Sequence, residues 1–196
     1  MVLDHCTDLT LTHVAQAQVS SLEIKARNVG VARALGVEAM LARGARWLAF
    51  TDADTQVAPD WLAEQLALQA DAVCGMVEVG DWSDHGIHAT LLQWHFAQTY
   101  TDEDDHRHIH SANLGVSAMA YRAAGGFQHL ACSEDVALVE ALKRNGARIA
   151  WSARPRVVTS ARRVARARGG FADALLNAVA QRLNSVASES ISVVIK

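Results

Sequence analysis

Asp52 and Asp54 stand one residue apart in "LAFTDADTQVAPDW", directly after an apolar run. Two carboxylates at that spacing beyond a strand can turn oxygens toward one divalent cation, and hard oxygen donors suit Mg²⁺ or Mn²⁺. A cation held there would offset the charge of a diphosphate, which points to a nucleotide-dependent reaction. Taken alone, either aspartate also serves as an ordinary turn cap, because Asp side chains bond nearby backbone N–H groups. A second acidic pair, Glu134 and Asp135, opens "SEDVALVEALKRNG". Taken alone, acids at that position are favoured at a helix N-terminus for purely structural reasons. Arginines gather at Arg154, Arg156, Arg162, Arg163, Arg166 and Arg168. Most of such a cluster is solvated surface; Arg162 and Arg163, just after a predicted strand, are best placed to meet an anion. His106, His108 and His110 alternate as one strand face would, with His85 and His88 nearby, yet the spacing matches no zinc signature. Trp94 and Trp151 read as packing residues.

Periodicity and punctuation predict the elements that hold these groups. "MVLDH" reads as a short buried strand, "TDLTLTHVAQAQ" as a helix capped by Thr7 or Asp8, "SLEIKA" as a strand, and "NVGVARALGVEAMLARG" as a helix ended by Gly44. "RWLAFTD" is the next strand, and Pro59 sits where a helix start tolerates a missing N–H. "AVCGMVEV" predicts a strand, "GIHATLLQWHFAQTY" a helix, "TDEDDHRH" a mobile polar loop, and "SANLGVSAMAY" an extended segment. A Gly pair in "RAAGGF" suits a tight turn before the helix that ends at Gly146; "ARIAWS" and "RVVTS" follow as short strands and "GGFADALLNAVAQRL" as a last helix. This alternation predicts one α/β domain over residues 1–184, with a mostly parallel sheet, helices on both faces and ligands at the carboxyl ends of the strands. Asp52 and Asp54 lie at such an end.

The composition agrees with a single folded domain of 196 residues, half of them hydrophobic. No apolar run approaches the roughly 20 residues that span a bilayer, and the first residues lack a secretory layout, so a cytoplasmic protein is expected. Cys6, Cys74 and Cys132 are odd in number and widely spaced, which argues for reduced thiols rather than a disulfide framework. A formal net charge of -3 supplies no general attraction to nucleic acid.

Two family patterns bear on the aspartates. An apolar strand followed by Asp-x-Asp-x-Thr resembles the first motif of haloacid-dehalogenase-type phosphatases, with Asp52 as nucleophile and Asp54 as acid/base. The order of the other motifs disagrees, because Glu134 and Asp135 precede "VVTS". Five segments in sequence resemble the family 2 glycosyltransferases, which have the GT-A fold, a Rossmann-like α/β architecture. These are "VLDHCTDLT", "NVGVARALG", "LAFTDADTQVAPDWL", "ANLGVSAMAYRAAGGF" and "SEDVALVEALKRNGARIAW". The resemblance implies an inverting transfer of a sugar from a nucleotide-diphosphate donor, a UDP-sugar as first expectation, to a hydroxyl acceptor. It implies that Asp54 binds the metal with Asp52 assisting or contacting the ribose, that Asp4 faces the base, and that Arg33 lies near the nucleotide. Arg162 or Arg163 would meet the diphosphate or an anionic acceptor. Asp135, beside Glu134, would be the general base on the acceptor hydroxyl. The histidine stretch, with His110 just before "SANLG", would then be a loop over the acceptor site.

The chain departs from the family in opening at the family's second strand, and Ala34 stands where an Asn often follows the helix arginine. Omitting a central strand would leave two ladders unpaired. "ISVVI", residues 191–195 beyond a Ser-rich linker in the segment 185–196, reads as a replacement strand, in the same chain or exchanged between two copies of a homodimer. An inactive, truncated form of the fold is the alternative.

Overall fold

The computed structural model describes residues 1–163, 173, 175–177 and 180. β1 (Val2–Asp4) and β2 (Leu22–Ile24) form a parallel pair joined through α1 (Thr10–Gln16). α2 (Val29–Ala42) leads to β3 (Trp47–Phe50), followed by β4 (Thr55–Val57), α3 (Trp61–Ala67) and β5 (Ala72–Val79). A 3₁₀ turn (Ser83–His88) feeds α4 (Ala89–Thr99); a second (Ser111–Asn113) precedes β6 (Leu114–Ser117), α5 (Ala118–Ala123), α6 (Glu134–Arg144) and β7 (Ile149–Thr159).

The larger sheet runs β3-β6-β5-β7-β4, and here the expectation of a mostly parallel sheet is corrected. Among the described residues, β1·β2 and β5·β7 are parallel, whereas β3·β6, β5·β6 and β4·β7 are antiparallel. Strand periodicity specifies which residues alternate but not which way a neighbour runs, and β6 inserts reversed between β3 and β5. Helices do cover both faces. Leu114 and Val116 of β6 enter the main core with Val37 of α2 and Leu138, Val139 and Leu142 of α6. Gly115, between them, faces the other way, where an added Cβ would meet Gln65 of α3 at 2.4 Å.

Other differences have local causes. "SANLGVSAMAY" is not one extended segment: Ser117 ends the strand and caps α5, its hydroxyl accepting the N–H of Ala120 at 3.1 Å. "ARIAWS" and "RVVTS" are one eleven-residue strand. Pairing passes from Cys74↔Trp151 to Met76↔Arg156, so β7 bulges opposite Gly75, and Pro155 is tolerated because it lies within that bulge. Gly75 is needed there, since a Cβ would meet Asn113 Nδ2 at 2.4 Å. α1 has Leu9 at its N-cap; Asp8 instead accepts the N–H of Thr10 at 3.0 Å. The short β4, unanticipated, pairs with the end of β7, Thr55 Oγ1 lying 2.9 Å from Thr159 Oγ1.

No ladder joins the two sheets among the described residues. Both nevertheless pack on α2: a Cβ on Gly36 would meet Val2 at 2.8 Å, and Ala34 and Val37 share the core with Leu48 of β3. The proposed strand at 191–195 and most of the last predicted helix lie outside the described residues.

Candidate active site

The site begins with Asp4 at the end of β1. Its Oδ1 accepts the N–H groups of Ala26 and Arg27, each at 2.8 Å, and its Oδ2 that of Asn28 at 2.9 Å. Burial pushes this carboxyl up, but the N–H groups of Arg27, Asn28 and Ala26 outweigh burial and hold it below the usual range. Asp4 thereby fixes the entry to α2. Asn28 completes the start by capping Val31 N at 3.0 Å, which places Arg33 one turn into the helix.

Arg33 is the centre of the arrangement. Its Nη2 donates to Asp52 Oδ1 at 2.5 Å and to Ser111 Oγ at 2.8 Å, and its Nε donates to Glu134 Oε1 at 3.0 Å. One guanidinium therefore gathers the end of β3, the 3₁₀ turn before β6 and the N-terminus of α6. Burial first, and then the neighbouring Asp135 charge, raise the Glu134 carboxyl above its ordinary value, with Arg33 opposing the rise. Asp135 is tied in through Ser111, whose N–H donates to Asp135 Oδ2 at 2.8 Å. Ser133, before α6, adopts φ 59°, a left-handed conformation costing about 1 kcal/mol for a non-glycine residue. Such strain collects where a loop is held for function.

Asp54, two residues beyond Asp52, receives Arg162 Nη1 at 2.5 Å on its Oδ2. The backbone beside Arg162 is anchored by buried His85, whose Nε2 lies 2.6 Å from the Ala161 carbonyl. Other members of the arginine cluster are surface ion-pairing groups: Arg154 approaches Glu64 at 3.8 Å, and Arg156 bonds Glu78 and Asp102. Arg163 is exposed, and Arg166 and Arg168 lie outside the described residues.

All seven residues singled out for the site can thus be located. Arg33, Asp52, Glu134 and, through Ser111, Asp135 form one connected group; Asp54 and Arg162 form an adjoining pair; Asp4 holds the backbone that enters α2. Two further residues join these contacts: Ser111, which carries no distinguishing signal in a segment the sequence reads as extended, and His85, which the sequence groups with the histidines of 106–110 but which bonds the Ala161 carbonyl instead.

Hard carboxylate oxygens suit Mg²⁺ or Mn²⁺, and among the described residues the second oxygen of Asp52 and of Asp54 makes no hydrogen bond. No group of three or more His, Cys, Asp or Glu side chains there could hold a metal ion. The donors fit a cation completed by water and substrate phosphates, and not one caged by protein alone.

The fold is an α/β domain whose paired acids at a strand end are cross-linked by Arg33 to a second acidic pair. The sequence matches the family described as Glycosyl transferase family 2 over residues 2–124, and the chain belongs to that family. Membership supports glycosyl transfer as the general chemistry and leaves the phosphatase reading of Asp52 unsupported. No curated protein matches the sequence. A solved structure titled "Crystal Structure of A197 from STIV" is similar, with a TM-score of 0.41 and 14% identity, covering 79% of this chain and 88% of that one. No helix among the described residues is long and apolar enough to cross a membrane.

Proposed function

We propose that the chain is an inverting, metal-dependent glycosyltransferase that moves a sugar from a nucleotide-diphosphate donor, with a UDP-sugar as first choice, to a hydroxyl acceptor. The observation that carries this reading is Arg33, bonded at once to Asp52 and Glu134 and joined through Ser111 to Asp135. Donor-side and acceptor-side acids therefore share one connected site.

Asp54, with Asp52, would hold Mg²⁺ or Mn²⁺, which when bound neutralises the diphosphate leaving group. Arg162 exchanges its bond to Asp54 for one to phosphate oxygens, and Arg33 keeps Asp52 oriented while adding positive charge on the donor side. Asp4 contributes by holding the 26–28 backbone where the base would rest. Asp135 accepts the proton of the acceptor hydroxyl as that oxygen attacks the anomeric carbon opposite the departing diphosphate. Glu134, bound to Arg33, sets the position of α6 and so of Asp135.

Calorimetry with UDP is the direct test. Heat of binding is expected with Mn²⁺ and is expected to vanish in Asp54→Ala. Absence of heat with and without Mn²⁺, across a panel of nucleoside diphosphates, would mark the chain as a noncatalytic remnant of the fold.

A further inference from the structure

Residues 101–110 connect α4 to the turn that carries Ser111, and three histidines line this passage. Their rings continue an aromatic column. Phe96 and Tyr100 stack at 4.5 Å, Tyr100 and His108 at 4.0 Å, and His108 and His106 at 5.4 Å; His110 lies 5.7 Å from Tyr100. Two of these rings receive backbone hydrogens: Thr101 N donates to His108 Nε2 at 2.9 Å, and His108 N donates to His106 Nδ1 at 3.2 Å. An imidazole nitrogen accepts only while it carries no proton, so both bonds exist only with neutral rings. His106 is 2% exposed, and the Nε2 atoms of His106 and His110 are buried without a hydrogen bond.

The passage is also tied to the β7 bulge. Asp104 accepts Ser152 Oγ at 3.0 Å and Ala153 N at 2.8 Å, while Asp105 N donates to the Trp151 carbonyl at 2.8 Å. At its far end the chain enters Ser111, which bonds both Asp135 and Arg33. Whatever moves residues 101–110 therefore moves the residue that orients the proposed base.

We propose that His106 and His108 are positioning residues for Asp135: their neutral rings latch the 101–110 segment shut, and a proton on either ring releases the segment and slackens Ser111. The inference rests on Asp135 being the acceptor's base, although the latch itself can be tested without turnover.

The charges around the rings support the direction. Burial lowers all three histidines from 6.5, His110 to about 4. On the segment itself Asp104 favours a charged His106, and Asp102 interacts with that ring, while Arg107 opposes. The carbonyls of Ser152 on β7 and Cys74 on β5 also favour it, but less than burial disfavours it. The Cys74 thiol, pushed up to about 12 by burial, is neutral. Against His108 stand Tyr100 and His106, while the Thr101 backbone favours its charge without outweighing burial; against His110, Asp135 of α6 favours the charge while His108 and His106 oppose it. Lys143 of α6 and Arg107 cover the Trp151 ring, each at 5.3 Å from its centroid, and Arg156 of β7 is neutralised by Asp102 and Glu78. Because the folded values lie below 6.5, the open segment binds protons more readily. Closure is then at full strength above about pH 6.5 and weakens as pH falls toward the folded values. Each ring that gains a proton on opening favours the open form by about tenfold per pH unit.

Imidazole nitrogen NMR of the full chain between pH 8 and 4.5, with amide exchange read on the same samples, tests the latch. His106 and His108 should titrate below 6.5 with the tautomers fixed above, and the protection factors of the Thr101 and His108 amides should fall over the same interval while those of β5 hold. His108→Gln, which keeps an acceptor but cannot take a charge, should reduce the fall in Thr101 protection between pH 7.5 and 5.5 by up to about tenfold, leaving the share that His106 contributes. In donor turnover, the acid limb of the rate should be shallower in that variant than in wild type. Titration of both rings at or above 6.5, or Thr101 protection that ignores pH in the wild type, would overturn the proposal. If His108→Gln fails to fold, the wild-type titration still decides. If no donor is turned over, the glycosyltransferase reading fails while the spectra still judge the latch.

Discussion

At the scale of single residues, the site is a set of acids whose charge is shared out by two arginines. Arg33 is largely buried, so its partners matter more than those of an exposed pair, where screening reduces ion pairs to small terms. Glu134→Ala should destabilise the fold by about 2–3 kcal/mol in urea, less than a fully isolated buried pair because Asp52 and Ser111 remain on Arg33. Glu134→Gln should recover most of that loss, since its amide oxygen can still accept from Arg33 Nε. The raised Glu134 carboxyl adds a pH signature. Its contribution is complete below 4.5 and declines as pH rises through the folded value, a decline that Glu134→Gln should erase from the stability profile. Asp135→Asn tests chemistry instead: turnover should drop by about 10²–10⁴ while donor affinity in calorimetry stays unchanged. A loss confined to affinity would assign Asp135 to binding.

At the scale of elements, Asn113 joins three of them. Its Nδ2 donates to the Met76 carbonyl of β5 and the Pro155 carbonyl of β7, both at 2.7 Å, and its Oδ1 accepts Trp61 Nε1 of α3 at 2.8 Å. Asn113→Ala would leave two carbonyls and an indole N–H unpaired in a fully buried place, a cost of about 3–5 kcal/mol measurable by urea unfolding. Element types were largely legible. β3 and β5 announce themselves as apolar runs, and α2 and α6 end at Gly44 and Gly146, whose φ values of 83° and 72° suit glycine. The failures came where a residue's meaning depends on a distant partner. "ARIAWS" and "RVVTS" read as two strands until the bulge opposite Gly75 accommodates Pro155 between them. Ser117 reads as one more strand residue until α5 turns on its hydroxyl.

At the scale of the whole molecule, the described residues form two unequal sheets that both pack on α2. β1 and β2 pair over only three residues, whereas β5 is buried over six successive residues between β6 and β7. Local opening should therefore precede global unfolding. Amides of β1 and β2 should exchange at free energies well below those of Val73 and Val77, which should require complete unfolding; equal protection in both sheets would show that they open as one unit.

The sequence by itself determined most of the element types, the acidic pairs with their spacing, and the family pattern that joins them, because side-chain periodicity, helix caps and motif order are local properties of the chain. The tertiary structure alone decided that β6 runs antiparallel, that no ladder among the described residues joins β1 and β2 to the larger sheet, and that Arg33 draws Asp52 toward Glu134 and Ser111. Those outcomes depend on strand direction and on contacts between residues 78 and 101 positions apart, for which a linear pattern carries no signal.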